Sequence, residues 1–158
     1  MLKMPSYFGL ALMLFIGCIG CEKGVREQER ANAAVRALFS NQAALAEVDC
    51  EGFDVQLDGV SSHFMQRDGS AERLRALLFE SFKASLKDSA ARSASYTVVG
   101  AIKVSCGASI TSYQLFRSDS HHNVLIFRVP HTRSPGASLS SFRDSAELRD
   151  LLTRYKRE

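Results

Sequence analysis

Histidines, cysteines and a group of loop acids are the residues of this chain whose chemistry reaches beyond packing. Asp119, His121 and His122 fall close together and could hold a metal loosely. Two adjacent histidines without helical or zinc-motif spacing read more simply as an exposed polar turn. His131 lies at the other end of a strand of about eight residues, roughly 25 Å away at 3.3 Å per residue, so it does not join them. His63 stands apart. Glu51, Asp54 and Asp58 crowd a glycine-containing segment, where they could serve as paired carboxylates or take calcium. Their spacing matches no calcium loop, and solvated loop acids account for them. Cys106, a histidine and an acid could together make a hydrolytic site. The chain nevertheless has no Gly-x-Ser-x-Gly elbow, no His-Glu-x-x-His and no phosphate-binding glycine loop. No metal and no cofactor is expected. Arg128 interrupts the apolar run Val124 to Val129. A cation on such a strand faces solvent, pairs with an internal acid, or receives an acidic group from a partner. Arg128 is therefore the candidate partner contact.

The elements that must position these groups can be read from periodicity. Val25 to Val48 favours helix, with Ala31, Ala34, Val35, Leu38, Ala44 and Leu45 on one broad face. So much alanine predicts close packing, or packing partly against a partner. Phe53, Val55 and Leu57 alternate and predict one short strand, with the rest of 49–69 as loop. Ser70 to Ala91 is the clearest helix, carrying Leu74, Leu77, Leu78, Ser81, Phe82 and Leu86 on its apolar stripe. Tyr96 to Cys106 is the clearest strand, with Tyr96, Val98, Gly100, Ile102, Val104 and Cys106 in one phase. Gly107-Ala108 turns the chain into a strand from Ile110 to Arg117, and Val124 to Val129 suits a central strand that Pro130 ends. His131 to Ser138 reads as loop. A last helix is expected over Ser141 to Lys156, with Ser141 or Asp144 opening a capping box. Runs of helix beside a meander predict an α+β fold. The expected sheet has three to four antiparallel strands in a meander, with about three helices packed on it.

The N-terminus bears on location. Lys3 precedes an apolar run from Tyr7, and Gly17-Cys18-Ile19-Gly20-Cys21 follows. A basic start, an apolar stretch and small residues before a cut make a secretory signal. A cysteine straight after the small residue resembles the lipobox of bacterial lipoproteins. The resemblance implies that the cysteine takes a lipid and becomes the mature N-terminus. Residues 1–21 would be signal and 22–158 a single α+β domain. The apolar run of about 13 residues is short of the roughly 17–25 that span a bilayer. Both Cys18 and Cys21 follow Ile-Gly, and both depart from the usual pattern three residues earlier. Parity favours Cys21, with Cys18 the alternative. If Cys21 is lipidated, Cys18 leaves with the signal, and Cys50 and Cys106 remain as a possible pair. An odd thiol is a liability in an oxidising compartment. Buried thiols or one reactive thiol are the alternatives to that disulfide. Glu22 follows Cys21; an Asp there resembles an inner-membrane retention signal of enterobacterial lipoproteins, so the outer membrane is favoured.

Composition sets the remaining bounds. The chain is 46 % hydrophobic and 23 % charged, which predicts a globular domain rather than disorder. The formal charge of +3 falls to about +2 when Lys3 leaves, too small and too evenly spread for nucleic acid. The leading expectation is a lipid-anchored, periplasm-facing protein without enzymatic activity. It would bind another envelope or secreted protein, for instance as an inhibitor, an immunity protein or an accessory subunit. The alternatives are an envelope-associated hydrolase and a carrier of a small molecule or lipid.

Overall fold

The computed structural model describes residues 8–40, 45–85 and 95–158, with backbone alone for 8–21, 46 and 83–85. Helix α1 runs Phe8–Ala37, and a 3-10 turn follows at Leu45–Glu47. Strands β1 (Gly52–Leu57) and β2 (Val60–Met65) lead into helix α2 (Ser70–Ser85). Strands β3 (Tyr96–Cys106), β4 (Ser109–Ser118), β5 (Val124–Pro130) and β6 (Ala137–Arg143) precede helix α3 (Ala146–Arg154). The fold is α+β, an open antiparallel sheet with three helices, and the strand order is β2-β1-β3-β4-β5-β6.

Six strands correct the expectation of three to four, and each extra strand has a local cause. β2 forms because Asp58 and Gly59 both hold positive φ, 48° and 82°, and close a two-residue hairpin. Asp-Gly between alternating runs favours this turn because its twist matches that of the strands it joins. β6 forms where the final helix was expected to begin. Ala137 to Arg143 pairs along the whole of β5, from Val124↔Arg143 to Pro130↔Ala137. Helix α3 starts later, at an N-cap Ser145 whose hydroxyl accepts from the Leu148 N–H. The first helix ends at Ala37 rather than Val48. The expected end of the second helix, Leu86 to Ala91, lies outside the described residues, as does Ala44.

The three helices pack on one face of the sheet. Ala31, Ala34, Val35 and Leu38 of α1 lie against β3, β4 and β5. The described residues of the alanine face are thus buried in the protein's own core, which is the close-packing alternative and not contact with a partner. α2 begins beside β2 and crosses to β6, burying Ala71, Leu74 and Leu78, while α3 buries Leu148, Leu151 and Leu152. Phe39 stacks on Phe127 at 4.5 Å and meets Phe142 at 5.3 Å, joining α1's end to β5 and β6. The sheet is strongly bent. Asp58, in the β1–β2 turn, and Asp144, just past β6, come from opposite sides of the sheet yet share Arg117 and Arg149. β2's outer edge is covered by the C-terminal tail: the His63 N–H donates to Tyr155 O and the Arg157 N–H to Ser61 O.

A bulge in β3 changes which residues reach the core. Between Val98 and Gly100 the register with β4 shifts by one, so Val98 lies opposite Phe116 while Gly100 lies opposite Leu115. Ile102, Val104 and Cys106 keep their predicted inward phase. Tyr96 and Val98 do not: they are 38 % and 54 % exposed on the uncovered face. Gly100 sits so close to β1 that a Cβ there would lie 1.8 Å from the Gln56 carbonyl oxygen.

Candidate functional site

The face of the sheet turned away from the helices carries most of the chemistry. Three neighbouring strands bring His63, Asp54 and Lys103 into one row, since His63 pairs with Asp54 and Asp54 with Lys103. His63 Nδ1 is in hydrogen-bond contact with Asp54 Oδ1, both groups being about one-third exposed. A recess of about 160 Å³ beside them is walled by Gln56, Ser61, Lys103 and Arg157. An imidazole held by a carboxylate is one half of a hydrolytic constellation. The other half is missing among the described residues: no hydroxyl or thiol bonds to His63. Periodicity could not pair these two, because a contact between residues nine apart depends on the hairpin at Asp58-Gly59.

The other sequence candidates separate. Asp54 goes to His63 and Asp58 to Arg117 and Arg149, while Glu51 is exposed, so the loop acids do not act as a pair. His121 contacts Ser120, and Asp119 accepts from Thr97, both in the β4–β5 turn. The hydrogen bonds from Ser95 and Thr97 hold the Asp119 carboxyl below its ordinary range. His131 lies at the opposite end of β5, beside Ser134 and Ser138. Among the described residues no three of His, Cys, Asp and Glu gather as metal ligands. Cys50 and Cys106 form a disulfide with their Cα atoms 4.0 Å apart. The register Gly52↔Ser105 between β1 and β3 puts them side by side. Cys106 therefore has no thiol to offer as a nucleophile. The side chains of Cys18 and Cys21 lie outside the described residues.

Asp58, Arg117, Asp144 and Arg149 make a charge network that the sequence did not announce. Arg117 donates to Asp58 and Asp144, and Arg149 donates to both as well. The hydrogen bond from Arg117, with that from Arg149, holds the Asp58 carboxyl below its usual range. These four residues come from a turn, a strand end, a linker and a helix, so no linear motif marks them. Two cations and two anions balance one another in charge, although the Arg117 Nε is buried with no hydrogen-bond partner among the described residues, and the arrangement clamps the bent sheet.

Arg128 is exposed on the uncovered face and, among the described residues, makes no hydrogen bond or ion pair. Opposite it on β6 lies Leu139, 63 % exposed, and further along β4 on the same face Ile110 is 69 % exposed. Phe116, Val124 and Ile126 form a small apolar cluster on the same face. Beside Arg128 the sheet itself opens. β4 and β5 pair only from Leu115↔Phe127 to Arg117↔Leu125. Beyond that they part around a notch of about 440 Å³ lined by Ser112, Tyr113, Gln114, Phe116, Arg128 and Pro130. Its floor is polar. Asn32 of α1 donates to the Pro130 carbonyl at 2.8 Å and accepts from the Tyr113 hydroxyl at 2.7 Å. Gln28 donates to both Asn32 and Tyr113. Burial pushes the Tyr113 phenol well above its usual range, so it stays a neutral donor. A third concavity, about 640 Å³ and chiefly apolar, lies between α2, α3 and the end of β6, lined by Ala76, Leu77 and Leu151 among others.

No protein-family model, curated protein or solved structure matches this chain. Any functional reading therefore rests on the residues themselves.

Proposed function

We propose that this protein is a lipid-anchored, periplasm-facing envelope protein whose α+β domain, residues 22–158, binds another envelope or secreted protein and catalyses no reaction. The observation that carries the binding reading is the uncovered sheet face. There Arg128, a cation with no partner among the described residues, lies opposite exposed Leu139, and Ile110 and Val98 are exposed elsewhere on the same face. Exposed apolar side chains rimmed by polar ones are what a docking surface needs. The anchor reading rests on the resemblance of residues 15–21 to a lipobox, with Cys21 as the acylated residue and Cys18 as the alternative. The outer membrane is the favoured location. Among the described residues no helix is long and apolar enough to cross a membrane.

Helix α1 adds geometry to this reading. From Cys21 to Ala31, the first buried residue, is ten residues, about 15 Å of helix. The domain would ride close to the bilayer. Glu29 of α1 bonds Thr132 and Arg133 in the loop after β5, so that end of the sheet would face the membrane. The Asp58–Arg149 network would face away.

Crosslinking affinity capture of the full-length, C-terminally tagged protein from its own membranes tests the binding reading. A Cys18→Ala, Cys21→Ala double variant is the control. One stoichiometric envelope or secreted partner is the expected result; an empty capture of folded, membrane-bound protein would overturn it. Labelling with an acyl-chain analogue should be lost in Cys21→Ala and kept in Cys18→Ala. A carrier function is the second reading, supported by the apolar groove between α2 and α3. Mass spectrometry of an organic extract of the purified protein would show its ligand.

A further inference from the structure

Two strands of this sheet are left half-paired where they part. β4 is ten residues long, yet only three of them pair with β5. From Ser109 to Gln114 it has β3 on one side and, among the described residues, no strand on the other. β5, from Arg128 to Pro130, pairs with β6 alone among the described residues. A strand directs its backbone groups alternately to its two sides, so half of those in 109–114 point into the opening. Two features keep the strands from zipping shut. Pro130 has no N–H to donate to β4. Its carbonyl is already taken by Asn32, which Tyr113 and Gln28 hold in place.

We propose that this notch is a strand-addition site: an extended segment of the binding partner pairs with the open side of β4 and sets an acidic side chain on Arg128. This rests on the reading of the protein as a binding module. β4 is the edge that is read, because β5 offers a proline at the corresponding place. Main-chain bonds would supply affinity, and side chains of alternate residues would supply selectivity. Residues of the added strand that face outward would meet Ile110, Phe116 and Arg128, favouring an apolar residue and an acid. Residues that face inward would meet Tyr113, favouring small or polar groups. Six residues of β4 span about 20 Å, which sets the length of the paired segment at five to seven residues.

The test is selection of a random heptapeptide display library on the full-length protein in detergent, followed by amide hydrogen exchange with the enriched peptides. The expected peptides lack proline, alternate in polarity and carry an acid, and they slow exchange within 110–114. Arg128→Gln should weaken them about two- to fivefold, as exposed ion pairs do. The same peptide with Gln in place of its acid should bind both proteins equally. Arg128 is exposed and unpartnered, so the variant should fold, which circular dichroism checks. Protection elsewhere, or no enrichment above background, overturns the proposal. Equal loss for both peptides overturns the role of Arg128. If affinity capture yields a partner while no peptide protects β4, the binding-module reading stands and strand addition falls. If both fail, both fall.

Discussion

Asp144 shows how one side chain can hold distant parts together. It is the most buried member of its network, 11 % exposed, and accepts from Arg117 and Arg149. Asp144→Asn would keep the shape and remove the charge, leaving two cations to share Asp58. We expect a loss of about 1–2 kcal/mol, below the cost of breaking a fully buried pair because Arg149 is one-third exposed. Urea unfolding measures it. The network also makes stability depend on pH. Asp58 has its folded pKa depressed by Arg117 and Arg149, so its contribution is present above about pH 4 and is lost as the pH falls. The midpoint of thermal unfolding should drop between pH 5 and pH 3, and drop less in Asp58→Asn. A variant with the same acid slope as the parent would remove Asp58 from this account. At this scale the sequence was partly legible. Arg128 was recognisable because a cation inside an apolar run is unusual. Arg117 and Arg149 were not, because each sits in an ordinary polar context and gains meaning only beside Asp58.

Strand β3 is where element-scale reasoning succeeded and then failed. Period two marked the strand correctly, but one extra residue before Gly100 turned Tyr96 and Val98 to the other face. A bulge leaves little trace in hydropathy, and the glycine that permits it was the available clue. Gly100→Ala would drive a Cβ into the Gln56 carbonyl, a backbone atom that cannot swing aside. We expect about 3 kcal/mol of destabilisation, read by urea unfolding. An unchanged midpoint would mean that the close approach of β1 and β3 relaxes at little cost. β6 was misread for a related reason. Ser-rich sequence with Leu139 and Phe142 fits a helix start as well as a strand. What decided for the strand was a neighbour: β5 offers a full edge, and seven pairs form along it.

For the whole molecule, the disulfide and the bend of the sheet act together. Cys50–Cys106 closes a separation of 56 residues, worth on the order of 4 kcal/mol on the chain-entropy account. The double variant Cys50→Ser, Cys106→Ser should unfold on the order of 10 °C lower, by calorimetry. A much smaller shift would mean that the strands β1 and β3 already hold these residues together in the unfolded chain. The sequence by itself determined the α+β class, the meander β3–β5, the approximate limits of β1 and β3–β5 and the availability of two cysteines for pairing. These are local properties, set by periodicity, turn residues and composition. Tertiary structure decided the six-strand order, the burial of the alanine face, the Asp54–His63 contact, the charge network and the notch beside Arg128. Each depends on residues far apart in the chain meeting in space. The register and bend that bring them together are fixed by packing three helices on one face, which no single segment encodes.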